Sequence, residues 1–258
     1  MTLTEAQLAS WLASMAWPFM RISGLLISAP IFNNRQLNAR IKISLALLVT
    51  LLVAPLLPQP PMVEVFSYEA LMIALQQLGI GLMMGFTLQL AFATLVIAGQ
   101  SVAHMMHLGM AQMVDPQNGI NVPTVATFYV IMAVLITLSL DIHLVFIQML
   151  VDSFAVVPVS IDGVTRNSIW ELLGWGTKMF QIGLLIALPV KGTLLLVNIV
   201  LGVMSRAAPQ LHLFAIGQPV IIASGLILIM VSLSSSLGAF TYFVDETLLF
   251  VKNVLLFR

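Results

Sequence analysis

Two histidines three residues apart, His104 and His107, are the first candidates for chemistry in this chain. On a helix this spacing places both imidazoles on one face, where they could bind a metal ion. A closed metal site usually needs about four ligands, and neither a cysteine nor a nearby glutamate completes this one. We therefore predict no metal at this pair and expect ordinary buried or solvent-lining histidines.

The remaining polar residues do not form a recognisable catalytic set. Asp141 and His143 are two residues apart, so a helix would point their side chains in different directions. The sequence contains no HExxH, GxSxG, P-loop or GxGxxG motif. We predict that the chain is not an enzyme, binds no cofactor and contains no ATP-driven motor.

The stretch around the histidines is rich in methionine. Met105, Met106, Met110 and Met113 lie at near-helical intervals around Gly109. A methionine stripe most often packs in a core. Methionine is also unbranched and flexible, so it fills irregular gaps and tolerates changes of shape. Placed before a loop rich in Asp, Pro, Asn and Gly, the stripe also suits a deformable seal around a pore.

Composition limits the fold class. The chain has 258 residues, of which 60% are hydrophobic and only 8% are charged, against about 25% charged residues in soluble domains. Its mean hydropathy is +1.07. A soluble fold could not solvate its surface with so few charges, so we predict a polytopic helical membrane protein. The net charge of zero gives no indication of nucleic acid as a partner, and the absence of cysteine excludes disulfides.

A membrane-spanning helix needs about 20 mostly apolar residues, and six stretches meet or approach this requirement. They are residues 11–32, 41–58, 70–99, 126–150, 175–204 and 214–240. Internal prolines predict kinks in several of them. The tail from Asp245 alternates acidic, apolar and basic positions and predicts a short amphipathic helix. We predict an all-α fold in which residues 1–258 form one membrane domain.

Polar and small residues inside these stretches indicate close protein contacts. Charges such as Arg21 and Lys191 are costly in a bilayer and usually face other protein or a cavity. Gly81 and Gly85 have the spacing that lets two helices approach closely, either within this chain or with a partner subunit. Lys191 has two interpretations: its amine reaches the membrane surface, or it pairs with a carboxylate of a partner.

Three stretches resemble the flagellar biosynthesis protein FliR family. They are "WPFMRISGLLISAP" at 17–30, "AGQSVAHMMHLGMAQMVDPQNG" at 98–119 and "LVNIVLGVMSRAAPQLHLFAIGQPV" at 196–220. The chain departs from the family pattern at Asn33-Asn34, where glycine is frequent, and at Gln218, where an apolar residue is commoner. Lys191 stands where small apolar residues are usual, so no family role can be transferred to it.

The resemblance implies a core subunit of the flagellar type III export gate in the bacterial inner membrane, at the flagellar basal body. Such a subunit assembles with FliP and FliQ, as packed helical hairpins, into a channel for unfolded rod, hook and filament subunits. FlhB, FlhA and membrane lipid are further expected partners. In the family, the segment matching 105–123 plugs the lumen.

These expectations name specific residues. The predicted plug consists of Met105, Met106, Leu108, Gly109, Met110, Met113, Asp115, Pro116 and Gly119. The residues predicted to serve assembly and packing are Arg21, Gly81, Gly85, Lys191, Arg206, Pro209, Gln210, Phe214, Gly217 and Pro219. Two alternatives stay open: the equivalent subunit of a virulence injectisome, and a small-solute transporter using Asp141, His143 and Lys191. The transporter would predict an inverted repeat, and the sequence shows none.

Overall fold

The computed structural model of the chain describes residues 5–32, 38–58, 61, 63, 67–108, 112–114, 121–161, 163–207 and 213–256. Its α-helices are α1 (Glu5–Ser28), α2 (Ala39–Val53), α3 (Tyr68–Met105), α4 (Thr124–Ser139), α5 (Ile142–Val156), α6 (Arg166–Ala207) and α7 (Leu213–Phe250). Two short strands, β1 (Gln112–Val114) and β2 (Asn121–Pro123), pair antiparallel between α3 and α4. The helical architecture confirms the predicted all-α fold class.

The apolar stretch 126–150, predicted as one helical segment, is divided into α4 and α5. The two helices are bent by 66° relative to each other. The break falls at Asp141, whose φ of 54° lies in the left-handed region and cannot continue a right-handed helix. Hydropathy does not reveal this break, because the residues on both sides of it are equally apolar.

Within the described residues, four helical stretches are long and apolar enough to cross a membrane, or five if the bent α4–α5 pair is one span. They are α2 with the 3₁₀ turn Ala54–Leu56, then α3, α6, and most of α7 with the turn after it. Stretch 11–32 is helical as α1 but is not one of these. The predicted C-terminal amphipathic helix is not separate, because α7 continues to Phe250 and a π-helical turn, Val251–Leu256, follows.

Helix α3 lies at the centre of the bundle and contacts α1, α4, α6 and α7. In its most apolar window 61% of the residues are buried, against 17% for α2 and 22% for each of α6 and α7. Many large apolar side chains of the three outer helices, mainly leucine, isoleucine and valine, are exposed. Of the four candidate spans, α3 is therefore the most enclosed, whereas α2, α6 and α7 have apolar faces that the described residues do not cover.

Helices α1 and α3 approach each other closely at glycines. A Cβ atom on Gly81 would collide with the carbonyl oxygen of Arg21, and one on Gly85 would collide with the Ser28 hydroxyl. A Cβ atom on Gly24 would lie 2.6 Å from the Leu78 carbonyl oxygen. The Gly81 and Gly85 spacing therefore serves a helix contact within this chain, which was one of the two interpretations of the sequence.

Candidate functional site

Helix α3 ends in a turn that two backbone hydrogen bonds define. The amide of His107 donates to the His104 carbonyl (3.2 Å), and the amide of Leu108 donates to the Ala103 carbonyl (2.9 Å). This pair of bonds is a Schellman turn, in which glycine is usual at the left-handed position. Here that position is His107, with φ 57°, and a side chain there costs about 1–2 kcal/mol. The turn fixes the direction in which the methionine-rich segment leaves α3.

Helices α6 and α7 hold the end of α3 from two sides. The Asn198 side-chain amide donates to the Met105 carbonyl (3.4 Å), and the Gln218 amide donates to the Met106 carbonyl (3.3 Å). These acceptors belong to the last carbonyls of the helix, which have no partner within it. The Met106 side chain is fully buried. A Cβ atom on Gly225 would lie 2.7 Å from its thioether atoms, so Met106 packs directly on the α7 backbone.

Beyond Leu108 the segment returns to α4 through the β1–β2 pair. Met113 pairs with Val122 in this antiparallel register, and α4 begins at Thr124. The pairing brings the two ends of the segment together. The predicted plug residues Gly109, Met110, Asp115, Pro116 and Gly119 lie outside the described residues.

The predicted plug residues next to the turn differ in exposure. Met105 and Leu108 are partly buried against the core, whereas Met106 is completely enclosed. His104 and His107 are both exposed on the surface of the chain. In the part of the chain that the structure describes, no three His, Cys, Asp or Glu residues are grouped as metal ligands would be.

Arg21 connects three helices inside the bundle. It is fully buried, and its guanidinium donates to Gln77 Oε1 (2.8 Å), Ser153 Oγ (3.0 Å) and the Val157 carbonyl (2.9 Å). It also lies 4.1 Å from the Phe154 ring centroid. These contacts join α1 to α3 and to the end of α5. The charge is held by neutral acceptors and an aromatic face within the chain, so Arg21 has an internal structural role.

Five of the other residues predicted for assembly lie on α6 or α7. Lys191 is partly buried, Arg206 and Pro219 are exposed, and Gly217 is buried beside Leu201. The backbone of Phe214 lies in α7, and the structure does not describe its side chain. Pro209 and Gln210 lie outside the described residues.

The three polar residues of the transporter alternative are not joined in the structure. Asp141 is exposed at the α4–α5 bend, and His143 is partly buried with its Nδ1 atom unpartnered. None of the hydrogen bonds or ion pairs among the described residues connects either of them with Lys191. The structure therefore provides no coupled ion site from these residues.

Sequence reasoning did not identify the residues that hold the end of α3. Gln218 was visible as a departure from the family pattern, but its acceptor, 112 residues away in sequence, was not. Asn198 and Gly225 gave no signal of their own. A second contact that was not foreseen joins α6 to α7, where Lys178 pairs with Glu246.

Comparison with known proteins identifies the family. Residues 12–247 match the family model described as bacterial export proteins, family 1. The chain is 38% identical over 226 residues to the flagellar biosynthetic protein FliR of Pectobacterium carotovorum subsp. carotovorum, covering 88% of this chain and 86% of the relative. It is 39% identical over 223 residues to FliR of Escherichia coli K12, covering 86% and 85%.

A more distant relative has the same name. FliR of Bacillus subtilis is 29% identical over 221 residues, which is 84% of each chain. These names are those of an export component rather than an enzyme. Together with a family model that matches almost the whole bundle, they show that this chain belongs to the FliR family of bacterial export proteins.

Proposed function

We propose that this chain, a membrane-embedded flagellar export component, forms with FliP and FliQ the channel of the flagellar type III export gate. Unfolded rod, hook and filament subunits would cross the inner membrane through it, at the flagellar basal body. The observation that carries the proposal is the end of α3. There the most enclosed of the four candidate membrane spans leads into a methionine-rich segment through a fixed turn.

The outer helices support an assembly with other membrane proteins. Leu52 on α2, Leu188 on α6 and Met230 on α7 are 66%, 61% and 77% exposed. Apolar faces of this extent are stable in contact with lipid or with apolar helices of other subunits. FliP and FliQ would cover part of them, and FlhB and FlhA are further candidates for contact.

The gate would close by steric packing of the segment 105–123 in the lumen. Met106 is enclosed against α7, so its role is to anchor the segment rather than to face the lumen. Sealing would then depend on Met105, Leu108, Met110 and Met113, whose flexible apolar side chains can adapt to a changing outline. Movement of the plug would begin beyond Leu108, because the backbone up to that residue is fixed by the Schellman turn.

The experiment that tests the plug is a deletion of residues 109–120, which keeps Met106 and the turn intact. We expect a complex of normal composition and a membrane that leaks ions, measured with a potential-sensitive dye in cells. A matched pair of variants separates the effect of side-chain polarity from the effect of segment length. Met110→Leu with Met113→Leu preserves apolar volume and should stay closed, whereas serine at both positions should leak.

The deletion also has a result that would overturn the plug. A shortened chain that assembles, exports flagellar subunits at the normal rate and shows no ion leak would mean that the segment does not close the lumen. The relatives named FliR favour the flagellar cargo over that of an injectisome.

A further inference from the structure

Lys191 lies at the centre of the longest apolar part of α6. The nearest charged residues on the helix are Lys178 and Arg206, about 20 and 22 Å away along the axis at 1.5 Å per residue. The hydrocarbon core of a bilayer is about 30 Å thick. If the apolar part between these two charges crosses the membrane, Lys191 lies near the midplane, too deep for its amine to reach either surface by extending the side chain.

Within the described residues, the chain supplies no counter-charge for this amine. Lys178, on the same helix, is paired with Glu246 and lies 4.3 Å from the Trp175 ring centroid. Lys191 is partly buried, and no carboxylate among the described residues pairs with it. An unpaired charge at the midplane is costly, so such residues face other protein or water.

The surroundings of Lys191 resemble one side of a helix contact. Ala187, Val190 and Leu194 are buried towards the rest of the chain, and Lys191 lies at the edge of that face. Beyond this edge, Leu188 and Leu195 are 61% and 48% exposed. A charge bordered by exposed leucines can be covered by an apolar helix that brings one group of opposite charge.

We propose that Lys191 pairs with a carboxylate on a membrane helix of another subunit of the gate, which packs on the exposed leucine face of α6. The leucines provide the packing area, and the charge pair fixes the depth at which the two helices meet, as a single polar position fixes register in other helix pairs. This inference rests on the proposed function, because it requires a hetero-oligomeric membrane complex.

The test uses the tagged full-length chain, produced with the other export proteins of its own organism and purified in mild detergent. We expect Lys191→Met to reach the membrane at the normal level. The yield of partner subunits that copurify with it should fall by a factor of about ten or more. Lys191→Arg keeps the charge and should retain most of the complex. Lys178→Met is the matched control, because it makes the same exchange on the same helix at a lysine whose carboxylate, Glu246, lies in this chain, and it should retain most of the complex.

Three results of this purification experiment would overturn the inference. Lys191→Met could recover the complex at the normal yield, or lose membrane level and complex equally. The Asp115→Asn variant could reproduce the Lys191→Met defect, which would place the counter-charge within this chain. If the unaltered chain copurifies with no other membrane protein, the proposed function fails instead, so the two failures are distinguishable.

Charge reversal identifies the partner residue. In a Lys191→Glu background, each acidic residue in the apolar segments of the copurified subunits is changed to lysine in turn. Restored complex with one of them supports the pair and names the carboxylate, and no restoration by any of them contradicts it.

The chain contains no cysteine, so Leu188→Cys gives a single labelling site in this chain, on the exposed leucine face, and leaves the Lys191 charge in place. A water-soluble thiol reagent should not modify that site in the assembled complex. Rapid modification would mean that this face of α6 is open to water, and would overturn the pairing.

Discussion

The contact between Met106 and Gly225 provides a sharp test of how the end of α3 is held. A methyl group added at Gly225 would lie 2.7 Å from the Cγ, Sδ and Cε atoms of Met106, and overpacking of this kind costs about 1–3 kcal/mol. Replacing a glycine inside a helix by alanine also gains about 0.5–1 kcal/mol from backbone entropy. Since Met106 is flexible, we expect a net loss of up to about 2 kcal/mol for Gly225→Ala.

Removing the Met106 side chain should change the effect of Gly225→Ala on the free energy of unfolding from a loss to a gain. Met106→Ala alone costs about 2 kcal/mol, the low end for a buried methionine, because apolar surface in a membrane has no water to avoid. In that background Gly225→Ala meets no obstacle and keeps only the backbone gain of about 0.5–1 kcal/mol. The two substitutions are therefore coupled, and the double variant should be more stable than the sum of the single variants implies.

The measurement is thermal unfolding of the purified chain in detergent, for all four members of the cycle. For a chain of this size, 1 kcal/mol corresponds to about 2–4 °C in Tm. Gly238→Ala is the control on the same helix, because a Cβ atom there would meet nothing within 4 Å. If Gly225→Ala and Gly238→Ala shift Tm equally with Met106 present, the packing of Met106 on α7 is refuted.

Three further substitutions test neighbouring features of the structure. His107→Gly relieves the left-handed backbone strain and should raise the stability of the detergent-purified chain by up to about 1 kcal/mol; a lower Tm would contradict the assigned turn. Arg21→Met leaves the buried Gln77 and Ser153 acceptors and the partly buried Val157 carbonyl without their donor, and it should cost at least about 3 kcal/mol. We expect a large fall in membrane level, whereas a level equal to that of the unaltered chain would show that the network is dispensable. Lys178→Met removes an ion pair with Glu246 whose side chains are 43% and 30% exposed, so thermal unfolding should show a loss of no more than about 1 kcal/mol. A loss as large as that of Arg21→Met would contradict this ranking.

Hydropathy located most of the helices, because a helix that spans a membrane must contain a long run of apolar residues. It did not detect the division between α4 and α5, which depends on the backbone conformation of Asp141 rather than on polarity. It also separated the C-terminal tail from α7, although the charged residues Asp245 and Glu246 lie on a continuous helix. Charged residues do not end a helix by themselves, and here Glu246 is also paired with Lys178.

The site was harder to predict than the helices, because its geometry depends on contacts between distant parts of the chain. The methionine stripe was evident, but its members have different surroundings: Met106 is enclosed and Met105 is only partly buried. Periodicity cannot make this distinction, since it does not state which face of α3 lies against α7. Met106 therefore anchors the segment, and in our proposal the other methionines of the stripe seal the lumen.

Two of the polar departures from the FliR pattern, Gln218 and Lys191, have different explanations, and the difference follows from where a partner is available. Gln218 lies beside the last carbonyls of α3, and it donates a hydrogen bond to one of them, so its polarity is used within the chain. Lys191 has only apolar neighbours on its own face and no paired carboxylate in the described residues. A polar or charged group in an apolar environment needs a hydrogen-bonding or oppositely charged partner. Substitution of Gln218 should therefore disturb the end of α3 in the isolated chain, whereas substitution of Lys191 should cause a defect only when the other subunits are present.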